Sequence, residues 1–153
     1  MLKISPTTLL ARIITIAKNI VQPSIPKGRT YQVDEMRTYV KRKDRLFWIV
    51  YALEKQTKNV VSFNIRRRTN QTLKKVITGL ELSEAEKIIT DKLKNYKFLI
   101  RPEIHSTKFR GINHIERKNL TLRTHLKRLN RKTICFSKSL VILNAILKIY
   151  FWG

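Results

Sequence analysis

Along residues 6–20 the apolar positions Leu9, Leu10, Ile13, Ile14 and Ile16 recur at helical spacing, with Arg12 and Lys18 outside that face. Ser5 suits the cap of such a helix, and Pro6 its first position. The stretch 21–30 then holds two prolines and a glycine, which predicts an extended linker ahead of the main body. From Tyr31 the period becomes that of strands. Residues 31–40, 46–53 and 60–66 are rich in β-branched and aromatic side chains, and polar turns at 41–45 and 54–59 separate them, so an antiparallel meander is expected. Leu73, Val76, Ile77 and Leu80 return to helical spacing across 70–80, and 87–91 is a short apolar strand ending in Asp91. Residues 97–101 read as a further strand before Pro102. Ile115, Leu122, Leu126 and Leu129 mark a helix over 112–129, and Ser137 or Ser139 caps a last helix running to about Tyr150. The pattern is that of an α/β chain in three parts: a helical segment at 1–20, a linker at 21–30 and one domain at 31–153.

A chain of 153 residues has room for one ordinary domain and a short appendage, and its 42% hydrophobic share argues against disorder. Charge changes the picture more. Lys and Arg number 33 against ten acids, a net +23, which calls for a polyanionic partner, nucleic acid first among them. No acid precedes Asp34 and none follows Glu116, so both flanks are purely cationic. The single cysteine, Cys135, excludes an internal disulfide and reads as a small buried hydrophobe; with His105, His114 and His125 it forms no zinc-binding pattern. Pro6 and its polar neighbours break any signal-peptide core. The apolar run 140–152 contains Asn144 and Lys148 and is shorter than the roughly 18 residues of a membrane span, so it reads as a buried or partner-facing helix, with membrane contact the minor alternative and no membrane partner expected.

Asp34 lies inside the first strand pattern and Asp91 at the end of a later one. A strand-embedded aspartate is costly to bury unpaired. If those two strands are neighbours, the carboxylates converge at one margin of the sheet, and Glu116 on the helix near 112 can approach them. Three carboxylates meeting in a strongly positive molecule describe a site for Mg²⁺ or Mn²⁺, suited to attack on a phosphodiester. The competing reading is a set of ordinary surface ion pairs.

Tyr31-Gln32-Val33-Asp34-Glu35-Met36 followed by Trp48 and Tyr51-Ala52, then Ile89-Thr90-Asp91 with Tyr96, and above all the block 115–139 (IERKNLTLRTHLKRLNRKTICFSKS), resemble the transposase of the insertion sequence one family over about residues 31–139. That resemblance implies an RNase H-like fold, with three antiparallel strands, a helix and a parallel strand in a mixed sheet flanked by helices. It also implies an Asp34, Asp91 and Glu116 triad that coordinates Mg²⁺ or Mn²⁺ while water cuts a transposon end and the freed 3′-hydroxyl attacks target DNA. Two departures stand out. Lys92 follows Asp91 where the family has glycine, and can pair with Asp91 or crowd the metals. The family's amino-terminal zinc-binding segment is expected to be missing, with residues 4–16 resembling only the recognition-helix end of a helix-turn-helix.

DNA-contact candidates are Arg66, Arg67 and Arg68 at the end of the third strand, and Lys118, Arg123, Lys127, Arg128, Arg131 and Lys132 after Glu116. Glu116, Arg123 and Lys127 share a face if the helix continues unbroken. Thr7, Thr8 and Arg12 reach DNA if the first helix enters a major groove; otherwise that helix packs on the body. Phe47, Trp48 and Tyr51 read as core, and His114 and His125 as surface or phosphate contacts. The expected function is Mg²⁺-dependent strand cleavage and transfer on double-stranded DNA, both transposon ends and target, by a homo-oligomer in the bacterial cytoplasm, associated with the nucleoid. A non-catalytic DNA-binding remnant acting as a repressor, or another RNase H-like nuclease, stands as the alternative.

Overall fold

The computed structural model describes residues 3–108, 111–130 and 136–153. Helix α1 (Pro6–Asn19) leads into β1 (Thr30–Val40), β2 (Arg42–Glu54) and β3 (Val60–Arg66), then α2 (Asn70–Leu82), β4 (Lys87–Ile89), α3 (Lys94–Leu99) and β5 (His105–Ser106). Helix α4 (Asn113–His125), a 3₁₀ turn at Lys127–Leu129 and α5 (Leu140–Trp152) complete the order. The sheet runs β3-β2-β1-β4-β5. β1 pairs antiparallel with β2 and β2 with β3, whereas β4 lies parallel to β1 and β5 parallel to β4.

Alternation along β1 builds both layers, because successive side chains of a strand point to opposite faces. Tyr31 and Val33 join Val50, Ala52 and the buried face of α2, Leu73, Val76, Ile77 and Leu80. Met36 and Val40 face the other way, with Ile49, Tyr51 and Leu53, and are covered by Ile115 and Leu122 of α4 and Leu143 and Leu147 of α5. The apolar carboxy-terminal helix therefore packs on its own sheet. Ser139 caps it by accepting the Ile142 N–H, and Trp152 Nε1 donates to the Val60 carbonyl at 2.7 Å.

Several boundaries differ from the sequence expectation. Residues 97–101 are not a strand: Lys94–Leu99 form α3, which buries Tyr96, and the true fifth strand is the two-residue His105–Ser106. Three apolar residues between Lys97 and Arg101 have no period that separates strand from helix, and two polar residues carry no strand signal at all. β2 begins at Arg42 because the chain reverses at Lys41, whose φ of 67° makes a tight turn in place of the expected 41–45 loop. The helix near 112 stops at His125, so the face expected to run from Glu116 through Arg123 to Lys127 is interrupted. Helix α1 is capped by Ser5 and packs against α5 through a face that buries Ala17 and leaves Leu9 and Ile16 half exposed. No helix of the described residues is long and apolar enough to cross a membrane.

Candidate active site

In the parallel β1–β4 pair, Gln32 stands opposite Ile89. Two residues further along each segment come Asp34, still in β1, and Asp91, in the turn that leaves β4. β4 ends at Ile89 because the next residues satisfy one another locally. Thr90 Oγ1 lies 2.7 Å from His105 Nε2 and donates to the Asp91 carbonyl, and Asp91 Oδ1 accepts the Leu93 N–H at 3.0 Å. Glu116 occupies the first turn of α4, where a carboxylate complements the positive end of the helix.

α4 reaches this margin through Gln32, a fully buried amide. Its carbonyl accepts the Ile115 N–H at 2.9 Å, and its Nε2 donates to the Gly111 carbonyl. Gly111 permits that approach, since a Cβ there would meet the Ile89 side chain at 2.7 Å and the Lys108 carbonyl at 3.0 Å. One turn beyond Glu116, Asn119 Nδ2 donates to Asp34 Oδ2 at 2.6 Å, and the Glu35 N–H donates to Asp34 Oδ1 at 2.8 Å. The Tyr51 hydroxyl, on the strand position opposite Asp34, donates to Asn119 Oδ1 at 2.8 Å and lies 3.2 Å from the Ile115 carbonyl.

Burial pushes the Asp34 carboxyl above the usual aspartate range. Its two hydrogen bonds oppose that shift, and the charges of Asp91 and Glu116 add to it, so both acids lie near enough to act on Asp34. Glu35, on the opposite face of β1, is also raised, first by burial and against the pull of Arg68. Arg68 Nε meets Glu35 Oε2 at 3.0 Å, and its guanidinium lies 4.6 Å from the centre of the Trp48 ring. Burial, with Glu35 and then the two aspartates behind it, drives the Tyr96 hydroxyl far up.

The expected DNA-contact residues are distributed unevenly. Arg66 and Arg67 are exposed where β3 ends, whereas Arg68 is engaged by Glu35 and Trp48. Lys118 is half-buried with its ammonium over the Tyr150 ring, and Arg128 donates to Ser137 Oγ at 2.8 Å. Arg123 is half-buried and Lys127 exposed. A cleft of about 280 Å³ between Glu35, Arg37, Trp48, Arg123, Arg128 and Asn130 adds Arg37 to the basic set. Arg131, Lys132 and Cys135 lie outside the described residues. Thr7, Thr8 and Arg12 are exposed at the start of α1, with Thr8 turned toward its cap Ser5. Lys92 makes no ion pair with Asp91. His125 Nδ1 lies 2.5 Å from the Tyr150 hydroxyl, and His114 is half-buried.

Sequence reasoning passed over Gln32 and Asn119 and took Tyr51 for packing alone. Signals were present: Gln32 shares the face of Asp34 two residues before it in the strand, and Asn119 follows Glu116 by one helical turn. Asp34, Asp91 and Glu116 carry hard oxygen donors of the kind a divalent cation takes, and Asp34 is partly desolvated and under the negative field of the other two. The described residues hold no group of three or more His, Cys, Asp or Glu side chains already closed to ligand distances, so the acids face one margin without forming a finished cage.

Comparison with known proteins bears on the family and the fold. The family described as IS1 transposase matches residues 30–152. The chain is 35% identical over 111 residues to the insertion element iso-IS1n protein InsB of Shigella dysenteriae, covering 72% of this chain and 85% of that protein. Against the insertion element IS1 protein InsB of Shigella flexneri it is 34% identical over 119 residues, 78% of this chain and 91% of the relative. Among solved structures it resembles a chain of the simian T-cell lymphotropic virus intasome in complex with PP2A regulatory subunit B56 gamma. The TM-score is 0.54 at 20% identity, over 86% of this chain and 51% of that one. It also resembles the HTLV-2 integrase catalytic core domain in complex with magnesium, with a TM-score of 0.51 at 15% identity over 81% of this chain and 86% of that one. These likenesses identify the fold as RNase H-like.

Proposed function

The chain belongs to the IS1 transposase family, and from that premise we propose that it cuts insertion-element ends and joins them to target DNA, with Asp34, Asp91 and Glu116 as the metal-binding triad. The observation that carries this reading is the parallel β1–β4 register, which sets Asp34 level with Asp91 while the Gln32-anchored α4 brings Glu116 to the same margin. The fold neighbour solved with magnesium supports the choice of cation. When bound, Mg²⁺ or Mn²⁺ would supply the charge that generates an attacking oxygen and stabilises the leaving one.

The chain's own residues hold that chemistry in place. Asp34 and Asp91 offer oxygens from adjacent parallel segments, and Glu116 adds a third from a helix terminus. Asn119 and the Glu35 N–H orient Asp34 and favour its ionised form against the opposing effect of burial. Arg66, Arg67, Arg37 and Lys127 present charge to the phosphate backbone on either side. Cleavage replaces the P–O3′ bond with a bond to water oxygen and leaves a 3′-hydroxyl. In transfer that hydroxyl loses its proton and forms the new bond to a target phosphate, whose own 3′-oxygen departs. Two ends cut together require at least two copies, in keeping with the dimeric and trimeric forms of the integrase core. The site of action would be the bacterial nucleoid.

The test is nicking of a duplex carrying an insertion-element end in the presence of Mg²⁺. The wild-type chain is expected to nick it, and Asp34→Ala to lose nicking while keeping salt-dependent DNA binding. Binding by both proteins with cleavage by neither would instead indicate a non-catalytic DNA-binding remnant.

A further inference from the structure

We propose that Tyr51 and Asn119 are a positioning pair, acting in series, that fixes the Asp34 carboxylate in the orientation a divalent cation requires. The inference rests on the reading of Asp34 as a metal ligand and adds two residues to it. Asn119 is only 7% exposed and Tyr51 fully buried, so the hydrogen bond between them is shielded from bulk water, while that from Asn119 to Asp34 is partly buried.

The direction of the chain follows from what each group can do. An ionised carboxylate only accepts, so Asn119 must turn its Nδ2 toward Asp34, and its Oδ1 must then point away. Tyr51 supplies the donor that Oδ1 needs, at 2.8 Å. Without that hydroxyl the buried Oδ1 loses this donor, and the orientation of the amide rests on the carboxylate alone. The hydroxyl is not required for packing. The Tyr51 ring stacks on Phe151 at 6.0 Å within an apolar layer of Met36, Ile49 and Leu143, which phenylalanine would fill equally well. Burial, together with the nearby Asp34 charge, keeps the phenol protonated and therefore a donor. Three separate elements, β1, β2 and α4, thus converge on one carboxylate through a single polar chain. Such outer partners set the orientation of a ligand and the affinity of the cation it holds.

Mn²⁺ binding by the full chain, followed by electron paramagnetic resonance in the absence of DNA, tests the pair separately from turnover. Asn119→Ala is expected to weaken Mn²⁺ binding by about 10–100-fold, and Tyr51→Phe by about tenfold, in proteins that still unfold cooperatively. Nicking by Tyr51→Phe should fall at low Mg²⁺ and recover as Mg²⁺ is raised, a response that a loss of packing would not give. Mn²⁺ binding as tight as wild type in both variants, or tighter in Asn119→Ala, would overturn the inference and make Asn119 a mere occupant of the cation's place. Asp34→Asn separates the two levels of the reading. Loss of Mn²⁺ binding in Asp34→Asn, with binding retained in Tyr51→Phe and Asn119→Ala, refutes the positioning pair alone. Undiminished binding in Asp34→Asn refutes the ligand assignment itself.

Discussion

Gln32 on β1 and Ile115 on α4 are joined across 83 positions of sequence by a hydrogen bond of 2.9 Å from the Ile115 N–H to the Gln32 side-chain carbonyl. Because Glu116 is the next residue, this one buried amide fixes the first turn of α4 on which Glu116 stands. Gln32→Leu keeps the volume and leaves the Ile115 N–H and Gly111 carbonyl without partners. It should cost about 1–3 kcal/mol in denaturant unfolding and speed hydrogen exchange at the Ile115 amide. Unchanged exchange there would mean that α4 is held by its apolar contacts alone.

The Arg68–Glu35 pair makes a second prediction. Glu35 is 5% exposed at its side chain and Arg68 42%, so the pair stands between a surface and a buried salt bridge. Arg68→Ala strands a buried carboxylate and should destabilise the fold by roughly 1–3 kcal/mol at neutral pH. Adding Glu35→Gln should restore most of that loss. Two losses that simply add in the double variant would show that the groups are not coupled.

Stability should also respond to pH through Asp34. Its folded pKa is raised, so folding favours the protonated form, and the contribution present under acid conditions is lost as pH rises through the raised value. Asp34→Asn is therefore expected to melt higher than wild type at neutral pH without divalent ions. The two curves should converge below the ordinary aspartate value of 3.8, and Mg²⁺ should narrow the neutral-pH gap from the wild-type side. A lower melting temperature for Asp34→Asn at neutral pH would contradict this sign.

Salt dependence of DNA binding distinguishes exposed cations from those engaged within the fold. Arg67 and Lys127 are exposed, and each alanine variant should lower the slope of log affinity against log salt by about 1. Arg68→Ala should leave that slope nearly unchanged, because its guanidinium serves Glu35 and Trp48. Equal slopes for all three variants would remove the distinction.

Much of the fold was legible from local pattern. The meander, α2, the cap at Ser5 and the last helix all follow from period and capping, which neighbouring residues determine among themselves. α3 and β5 were not legible. Phe98 is 85% exposed while Tyr96 is buried, so the apolar residues of 97–101 misreport which side of that segment faces the core. The break at His125 was equally hidden, since Leu126 and Leu129 continue the helical spacing after the helix itself has ended.

Residue type and position, together with the family resemblance, nominated Asp34 within a strand, Asp91 at the end of a strand pattern and Glu116 near a helix start, in a chain where acids are scarce. Which other side chains stand around them was decided only in three dimensions. Gln32, Tyr51 and Asn119 are ordinary polar residues in sequence, and they acquire roles because the parallel β1–β4 crossover and the packing of α4 bring distant segments within hydrogen-bond reach. Local pattern specifies elements through short-range sterics and periodicity, whereas a buried polar network depends on long-range packing that must satisfy every desolvated donor and acceptor together.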